Sequence, residues 1–196
     1  MIQAFYIMGL LSIFSSCKVK KELNNIYPYI ITDAYPKEGT IFVDTLGHGL
    51  YVTVVYDQDG LIQNVPPKDL EESGMTIEQL KDSAISNLTR AIKNQQITTM
   101  LHKTNDSIPF VLFTDSWMSA SCILLPGIGD RLKSQLGSES LFVCLPHRDA
   151  MLVFPTLNKE QAIKAQQFVK EKESDGTKPL SFEFFEIKDN QIKAIY

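Results

Sequence analysis

Residues 50–65 read LYVTVVYDQDGLIQNV, and this stretch decides the fold class. Its first part, residues 50–56, is rich in the valine, tyrosine and threonine that suit a pleated strand. Asp59-Gly60 is typical of a tight hairpin turn and leads into a second strand over residues 61–65. The stretch therefore predicts an antiparallel hairpin.

A helix is predicted immediately after this hairpin. A short helical turn follows Pro67 and ends at Gly74. Thr76, with Gln79 three residues later, then forms a capping-box pattern at the start of a longer helix. The apolar residues of this longer helix recur at helical spacing on one face and are Ile77, Leu80, Ala84, Leu88 and Ala91 or Ile92.

The same order of elements continues along the chain. Further strands are predicted at residues 97–103, 109–113, 141–145, 151–154, 180–187 and 191–195. A second helix is predicted from Trp117, with an interruption at Pro126-Gly127, and a third helix is predicted after the cap residue Asn158. We therefore expect an α+β fold, with one twisted antiparallel or mixed sheet of repeated hairpin-helix (β-β-α) units and about three helices.

Composition places the chain among ordinary globular proteins. It has 196 residues, of which 44% are hydrophobic and 21% are charged, and this is enough for one domain with a sizeable core. The formal net charge is −4. Because nucleic-acid binding needs a basic surface, nucleic acid is not an expected partner.

The N-terminus predicts the cellular compartment. Residues 2–14 are uncharged and mostly apolar, and such a run of about 13 residues is too short to span a bilayer but suits the core of a signal peptide. Phe14-Ser15-Ser16-Cys17 follows and resembles the lipobox of bacterial lipoproteins. An open alternative is a buried N-terminal element in which Cys17 is an ordinary thiol.

The lipobox resemblance implies a division of the chain and a location. Residues 1–16 would be a signal peptide, residues 17–40 a tether that begins at the lipidated Cys17, and residues 41–196 a single α+β domain. The protein would be lipid-anchored in the cell envelope, on a periplasmic or outer-membrane face. Its first partner would be the membrane itself, through the lipid on Cys17.

Two further cysteines, Cys122 and Cys144, lie in apolar stretches. An oxidising envelope would permit a disulfide between them. Their apolar surroundings favour two separate core thiols instead. Neither cysteine belongs to a spacing that is typical of a metal site, so neither a metal nor a cofactor is expected.

Pro146-His147-Arg148-Asp149 is the best candidate for a binding or catalytic site. It connects two apolar strands, and Arg148 offers a planar fork for a carboxylate or phosphate group. Asp149 could orient Arg148, and His147 could titrate near neutral pH. Asp115 is a further candidate for the same site. The competing interpretation is structural, in which Arg148 and Asp149 hold the turn by binding backbone groups.

Spaced landmarks give the chain a resemblance to a known bacterial family. They fall within residues 51–57, 70–80, 84–88, 115–125, 143–149 and 179–181, and the most distinctive of them is Val143 to Asp149, Val-Cys-Leu-Pro-His-Arg-Asp. Over about three quarters of its length the chain resembles the uncharacterised YtpQ-like family. The resemblance implies a shared fold and no established activity.

The sequence lacks the common nucleophile motifs, including the GxSxG elbow, SxxK and HExxH. The leading functional hypothesis is therefore a non-enzymatic envelope module that binds a protein or an envelope component. The alternative is a hydrolase or small-molecule-binding protein that uses the Pro-His-Arg-Asp turn. A structural lipoprotein without a ligand is a third interpretation.

Overall fold

The computed structural model describes residues 23–36, 38–188 and 191–195. The predicted signal peptide and Cys17 therefore lie outside the described residues. Within the described ranges, no helix combines the length and the apolar character that a membrane span requires.

Strands and helices alternate along the described chain. The strands are β1 (Ile26–Thr32), β2 (Phe42–Gly47), β3 (Leu50–Gln58), β4 (Leu61–Asn64), β5 (Thr98–Lys103), β6 (Pro109–Thr114), β7 (Leu141–His147), β8 (Ala150–Pro155), β9 (Pro179–Lys188) and β10 (Gln191–Ala194). The α-helices are α1 (Pro67–Ser73), α2 (Ile77–Lys93), α3 (Ile128–Leu136) and α4 (Lys159–Glu173), and a 3₁₀ helix spans Ala120–Leu124. The predicted α+β class is confirmed.

The prediction of one sheet is wrong, because the strands of the described residues form two. In the first sheet, β3 is central, with β1 along one side and β2 and β4 along the other. The second sheet has the order β10-β9-β7-β8-β6-β5. The hairpin of β3 and β4 pairs with the preceding strand β1 and not with the following strand β5. The two groups of strands therefore belong to different sheets. The repeated β-β-α unit is not confirmed.

The main hydrophobic core draws on both sheets. Leu50 and Val52 of β3 pack with Leu88 of α2 and with Val143 and Val153 of the second sheet, and all five are at most 1% exposed. This follows from the strand period of two, which turns alternate residues of β3 toward the same side. Helix α4 covers the other face of the second sheet.

Strand β1 corrects the predicted tether of residues 17–40. Residues 26–32 pair along their whole length with β3, and Ile26, Ile30 and Ile31 are at most 1% exposed. The Tyr-Pro-Tyr sequence within β1 favours a turn or linker when it is considered alone. Its burial depends on β3, a partner about 25 residues away in the sequence.

The predicted helix signals agree with the structure. Thr76 with Gln79, and Asn158 with Gln161, form complete capping boxes at the starts of α2 and α4. The predicted second helix begins as the 3₁₀ turn, is interrupted at Pro126-Gly127 and resumes as α3. Gly127 permits this restart, since its φ of 68° lies in the left-handed region.

Cys122 and Cys144 are separate buried thiols, as the sequence favoured. Burial raises the pKa of the Cys122 thiol to about 12. Burial also raises the pKa of Cys144. Both side chains therefore act as small apolar core residues.

Candidate functional site

The Pro-His-Arg-Asp turn joins two neighbouring strands of the second sheet. His147 is the last residue of β7 and Ala150 is the first residue of β8, so Arg148 and Asp149 form the tip of the hairpin. The pairing of β7 with β8 shifts register between Cys144 and His147. This irregularity lets neighbouring side chains of the turn leave the sheet in different directions.

The Arg148 side chain reaches from this turn to the first sheet. Its Nε donates a hydrogen bond to the carbonyl oxygen of Ile30 in β1 at 3.0 Å. Its guanidinium carbon lies 4.6 Å from the ring centre of Tyr29 and 5.9 Å from that of Tyr35. Arg148 thus joins the two sheets through a charged hydrogen bond and cation–π contacts.

Among the described residues, Arg148 is one of three whose side chains bind the outer edge of β1. In an antiparallel pair, every second residue points its backbone groups away from the partner strand. Three such carbonyls of β1 each accept a side-chain hydrogen bond. The bonds are Asn87 Nδ2 to Ile26 O at 2.9 Å, Ser121 Oγ to Pro28 O at 2.9 Å, and Arg148 Nε to Ile30 O at 3.0 Å. These contacts support the structural interpretation of Arg148.

The His147 side chain is held on the opposite side, by helix α4. Its Nε2 lies 2.9 Å from a carboxylate oxygen of Glu173, while its Nδ1 is buried without a partner among the described residues. Because a carboxylate accepts, Nε2 is the donor of this hydrogen bond. Gly176 lies against the ring, since a β-carbon there would be 2.0 Å from His147 Cδ2.

Among the described residues, neither Asp149 nor Asp115 is hydrogen-bonded to or ion-paired with Arg148. Asp149 contacts Thr177, whose hydroxyl lies 3.4 Å from its carboxylate. Asp115 is exposed after the end of β6, with a φ of 64°. Within the described ranges, no hydrogen bond or ion pair joins Asp115 to the turn. The four candidate residues therefore do not form one catalytic constellation.

The turn instead borders an aromatic surface on the first sheet, which we call the aromatic face. The helices α1 and α2 pack against the other side of this sheet, through Leu70, Leu80 and Ala84. The aromatic face consists of Tyr29, Tyr35, Phe42, Tyr51, Ile62 and Trp117, and all of these except Tyr29 are partly exposed.

Edge contacts between rings organise the aromatic face. Trp117 meets Tyr29 with ring centres 5.9 Å apart, and Phe42 meets Tyr51 at 5.7 Å. In addition, the hydroxyl of Tyr35 donates to Asn64 Oδ1 at 3.1 Å. The guanidinium of Arg148 lies over Tyr29, which is itself 5% exposed. The face therefore combines aromatic rings with one fixed positive charge.

Acidic groups lie beside the aromatic face. The Asp33 carboxylate accepts a hydrogen bond from the Tyr51 hydroxyl and raises the pKa of Tyr51. Burial raises the pKa of Tyr29, although the Arg148 charge acts in the opposite direction. Both tyrosines therefore keep their hydroxyl protons at neutral pH and remain hydrogen-bond donors.

Sequence reasoning missed the aromatic face as a unit. It used Trp117 as the start of the second helix and placed Tyr29 within the tether. The signal that could have found the face is the alternation in β3, where Leu50, Val52 and Val54 point to one side and Tyr51 to the other. The contribution of β1 and of Arg148 requires the tertiary structure.

A separate cleft lies between α2 and α3. Its volume is about 400 Å³, and it is mostly apolar, with Lys93 and Arg131 beside Ile92, Leu125 and Ile128. Both cations are exposed. A neighbouring cleft of about 360 Å³ shares the Leu125–Ile128 segment and reaches Ile187 and Ile192. Together they form a second candidate site, one that could take a small apolar anion.

The described ranges contain no group of three or more His, Cys, Asp or Glu side chains placed to hold a metal ion.

Comparisons of the chain with models of protein families, with curated proteins and with solved structures found no match. The resemblance to the YtpQ-like family therefore stays a prediction.

Proposed function

We propose that this protein is a lipid-anchored module of the cell envelope that binds another protein through the aromatic face. The anchor is the lipid on Cys17 that the lipobox resemblance implies. The observation that carries the binding role is a layer of partly exposed aromatic side chains on the side of the first sheet that α1 and α2 leave uncovered.

The composition of the aromatic face favours a protein partner. Tyrosine, tryptophan and arginine are the residues most enriched at the energetic centres of protein interfaces. Here Trp117 and Tyr51 are partly exposed, and Arg148 is already held over Tyr29. Because these side chains are fixed by their neighbours, a partner would lose little side-chain entropy on binding them.

The engagement of the Pro-His-Arg-Asp turn argues against its use as a catalytic site. Arg148 is bonded to Ile30, His147 to Glu173, and the two side chains leave the turn toward different layers. A catalytic acid, base and anion-binding group would have to converge on one reacting atom. The turn supports the aromatic face and contributes the Arg148 charge to it.

Site-specific photo-cross-linking in intact cells tests the proposal. A photoreactive phenylalanine would replace Phe42 on the aromatic face or Ile163 on the outer side of α4, where the side chain is 58% exposed. We expect one defined protein adduct from position 42 and none of the same mass from position 163. The same adduct from both positions, or none from position 42, would contradict the proposal.

A matched substitution separates binding from the anchor. Tyr51→Ser on the aromatic face should abolish the adduct formed from position 42 while the protein stays in the membrane fraction. Cys17→Ser should release the protein from the membrane. A Cys17→Ser protein that stays in the membrane fraction would contradict the lipid anchor. It would not test the binding surface, which the cross-link from position 42 tests separately.

A small-molecule role is the second candidate, favoured by the cleft between α2 and α3. The pairing of Lys93 and Arg131 with apolar walls fits an aromatic or aliphatic acid. Anilinonaphthalene sulfonate is a suitable probe because it is both apolar and anionic. Its binding should weaken at least fivefold in Arg131→Glu and remain unchanged in Arg90→Glu, which lies in a different groove. Equal binding by both variants would exclude this cleft.

A further inference from the structure

The outer edges of the two sheets differ in how they are protected. They belong to β1, β2 and the four-residue β4 in the first sheet, and to β10 and β5 in the second. An unpaired edge strand presents free N–H and C=O groups that another strand can bind, so natural proteins usually block such edges. The carbonyls at the outer edge of β1 are bound by Asn87, Ser121 and Arg148. The β2 edge is broken by two register shifts, and its Asp44 is paired with Lys81.

The two edges of the second sheet are unequal. Strand β10 has four residues and lies close to β2, since a β-carbon on Gly47 would be 2.9 Å from Ala194 Cβ. Strand β5 has six residues, pairs with β6 without a register shift and is the last strand of its sheet. Five of its six residues are exposed, including Met100 at 38% and Leu101 at 57%.

The hydrogen bonds between β5 and β6 show which β5 residues point their backbone N–H and C=O groups away from β6. The Thr104 N–H donates to the Ile108 carbonyl at 2.9 Å, just beyond the paired strands. Hydrogen-bonded positions alternate in an antiparallel pair, so His102 and Met100 also bond to β6. The free backbone groups then belong to Thr99, Leu101 and Lys103.

We propose that β5 is a dimerisation edge, at which a second copy of this chain pairs antiparallel with β5 and continues the six-stranded sheet. The twofold axis lies perpendicular to the sheet, with Leu101 opposite Leu101 of the partner subunit. This inference does not rest on the proposed function, because it uses a different surface.

The occupant is assigned to a second copy because the edge is self-complementary in this register. The free backbone groups of Thr99, Leu101 and Lys103 can all form hydrogen bonds across the pair. Thr99 lies opposite Lys103 of the partner subunit, and Leu101 lies opposite Leu101 of the partner subunit. No like charges face each other across the pair. The pairing also covers one flank of the exposed Leu101 and Met100 side chains, the latter opposite His102 of the partner subunit.

Cysteine cross-linking of the full chain in intact cells tests both the dimer and its register. Directly opposite hydrogen-bonded residues have Cα atoms about 5.5 Å apart, within disulfide range. Leu101→Cys should therefore give a disulfide-linked homodimer under mild oxidation. Thr99→Cys should not, because the two copies of residue 99 would be offset by about 14 Å along the strands.

Two further arms make the result decisive. The double variant Thr99→Cys/Lys103→Cys should give the dimer again, because these positions face each other. Leu61, which is 57% exposed on the β4 hairpin, provides the matched control Leu61→Cys, and we expect no dimer from it. Unreactive Cys122 and Cys144 thiols would show that each variant is folded.

Several outcomes would overturn the inference. They are a folded Leu101→Cys protein without dimer, equal dimer from Leu61→Cys or Thr99→Cys, and no dimer from the double variant. An adduct of Leu101→Cys with a different protein would also overturn it, because the edge would then bind a foreign strand.

Discussion

Arg148 Nε lies 3.0 Å from the carbonyl oxygen of Ile30, and this bond connects the hairpin of one sheet to the edge strand of the other. The donor is charged and the acceptor is a carbonyl at the outer edge of β1. The same guanidinium packs on Tyr29 at 4.6 Å. The residue that the sequence offers as a ligand-binding arginine is therefore a clamp between two layers.

Arg148→Ala should lower the free energy of unfolding by about 2–3 kcal/mol, because a charged hydrogen bond and a cation–π contact are lost together. Arg148→Lys keeps the charge but lacks the Nε donor, so we expect a loss of about 1 kcal/mol. Urea unfolding measures both. Arg131→Ala, an exposed arginine on α3, should stay within about 0.5 kcal/mol of the wild type. Equal losses in Arg148→Ala and Arg131→Ala would contradict the clamp.

Two buried serines provide a matched pair. Ser121→Ala removes the donor to the Pro28 carbonyl and should destabilise the protein by about 1 kcal/mol. Ser119 is 0% exposed, and its hydroxyl has no partner among the described residues, so Ser119→Ala should be neutral or stabilising. Thermal or urea unfolding of the two variants decides the question. A larger loss from Ser119→Ala would mean that this hydroxyl binds a group outside the described contacts.

Gly176 and His147 should be energetically coupled. Gly176→Ala places a β-carbon 2.0 Å from the His147 ring, which Glu173 holds in position, so we expect a loss of about 1–3 kcal/mol. In the His147→Ala background the ring is absent, and the same glycine substitution should have almost no effect. A double-mutant cycle measures the coupling. Additive losses would show that the ring can move away.

The buried thiols should make the protein labile at alkaline pH. Folding raises the pKa of Cys122 to about 12, so above about pH 8.5 the unfolded thiol ionises while the folded one does not. The unfolded state then binds fewer protons, and stability falls as pH rises from about 8.5 toward 12. Each such thiol contributes a slope that approaches about 1.4 kcal/mol per pH unit.

Urea unfolding between pH 8 and 10 measures this slope. Cys122→Ala should make the slope shallower, whatever its effect on stability at pH 7. A slope that is identical in the wild type and in Cys122→Ala would contradict burial of this thiol. Alkylation offers an independent check, since both core thiols should react only after unfolding.

Local signals predicted most individual elements. The Asp59-Gly60 turn, the Thr76 and Asn158 caps and the break at Pro126-Gly127 all lie where the sequence placed them. Each depends on a few neighbouring residues, whose turn geometry or capping hydrogen bonds are available to an isolated segment. The α+β class and the two core thiols follow from the same local patterns.

The sequence by itself thus determined most of the elements, their order and the apolar face of α2. Only the tertiary structure decided that β1 belongs to the domain, that the strands divide into two sheets, and that His147 and Arg148 serve different layers. The physical reason is that periodicity specifies which side of a strand is buried, whereas its partner is chosen by packing between residues far apart in the chain. Arg148 and Ile30, 118 residues apart, meet through that packing.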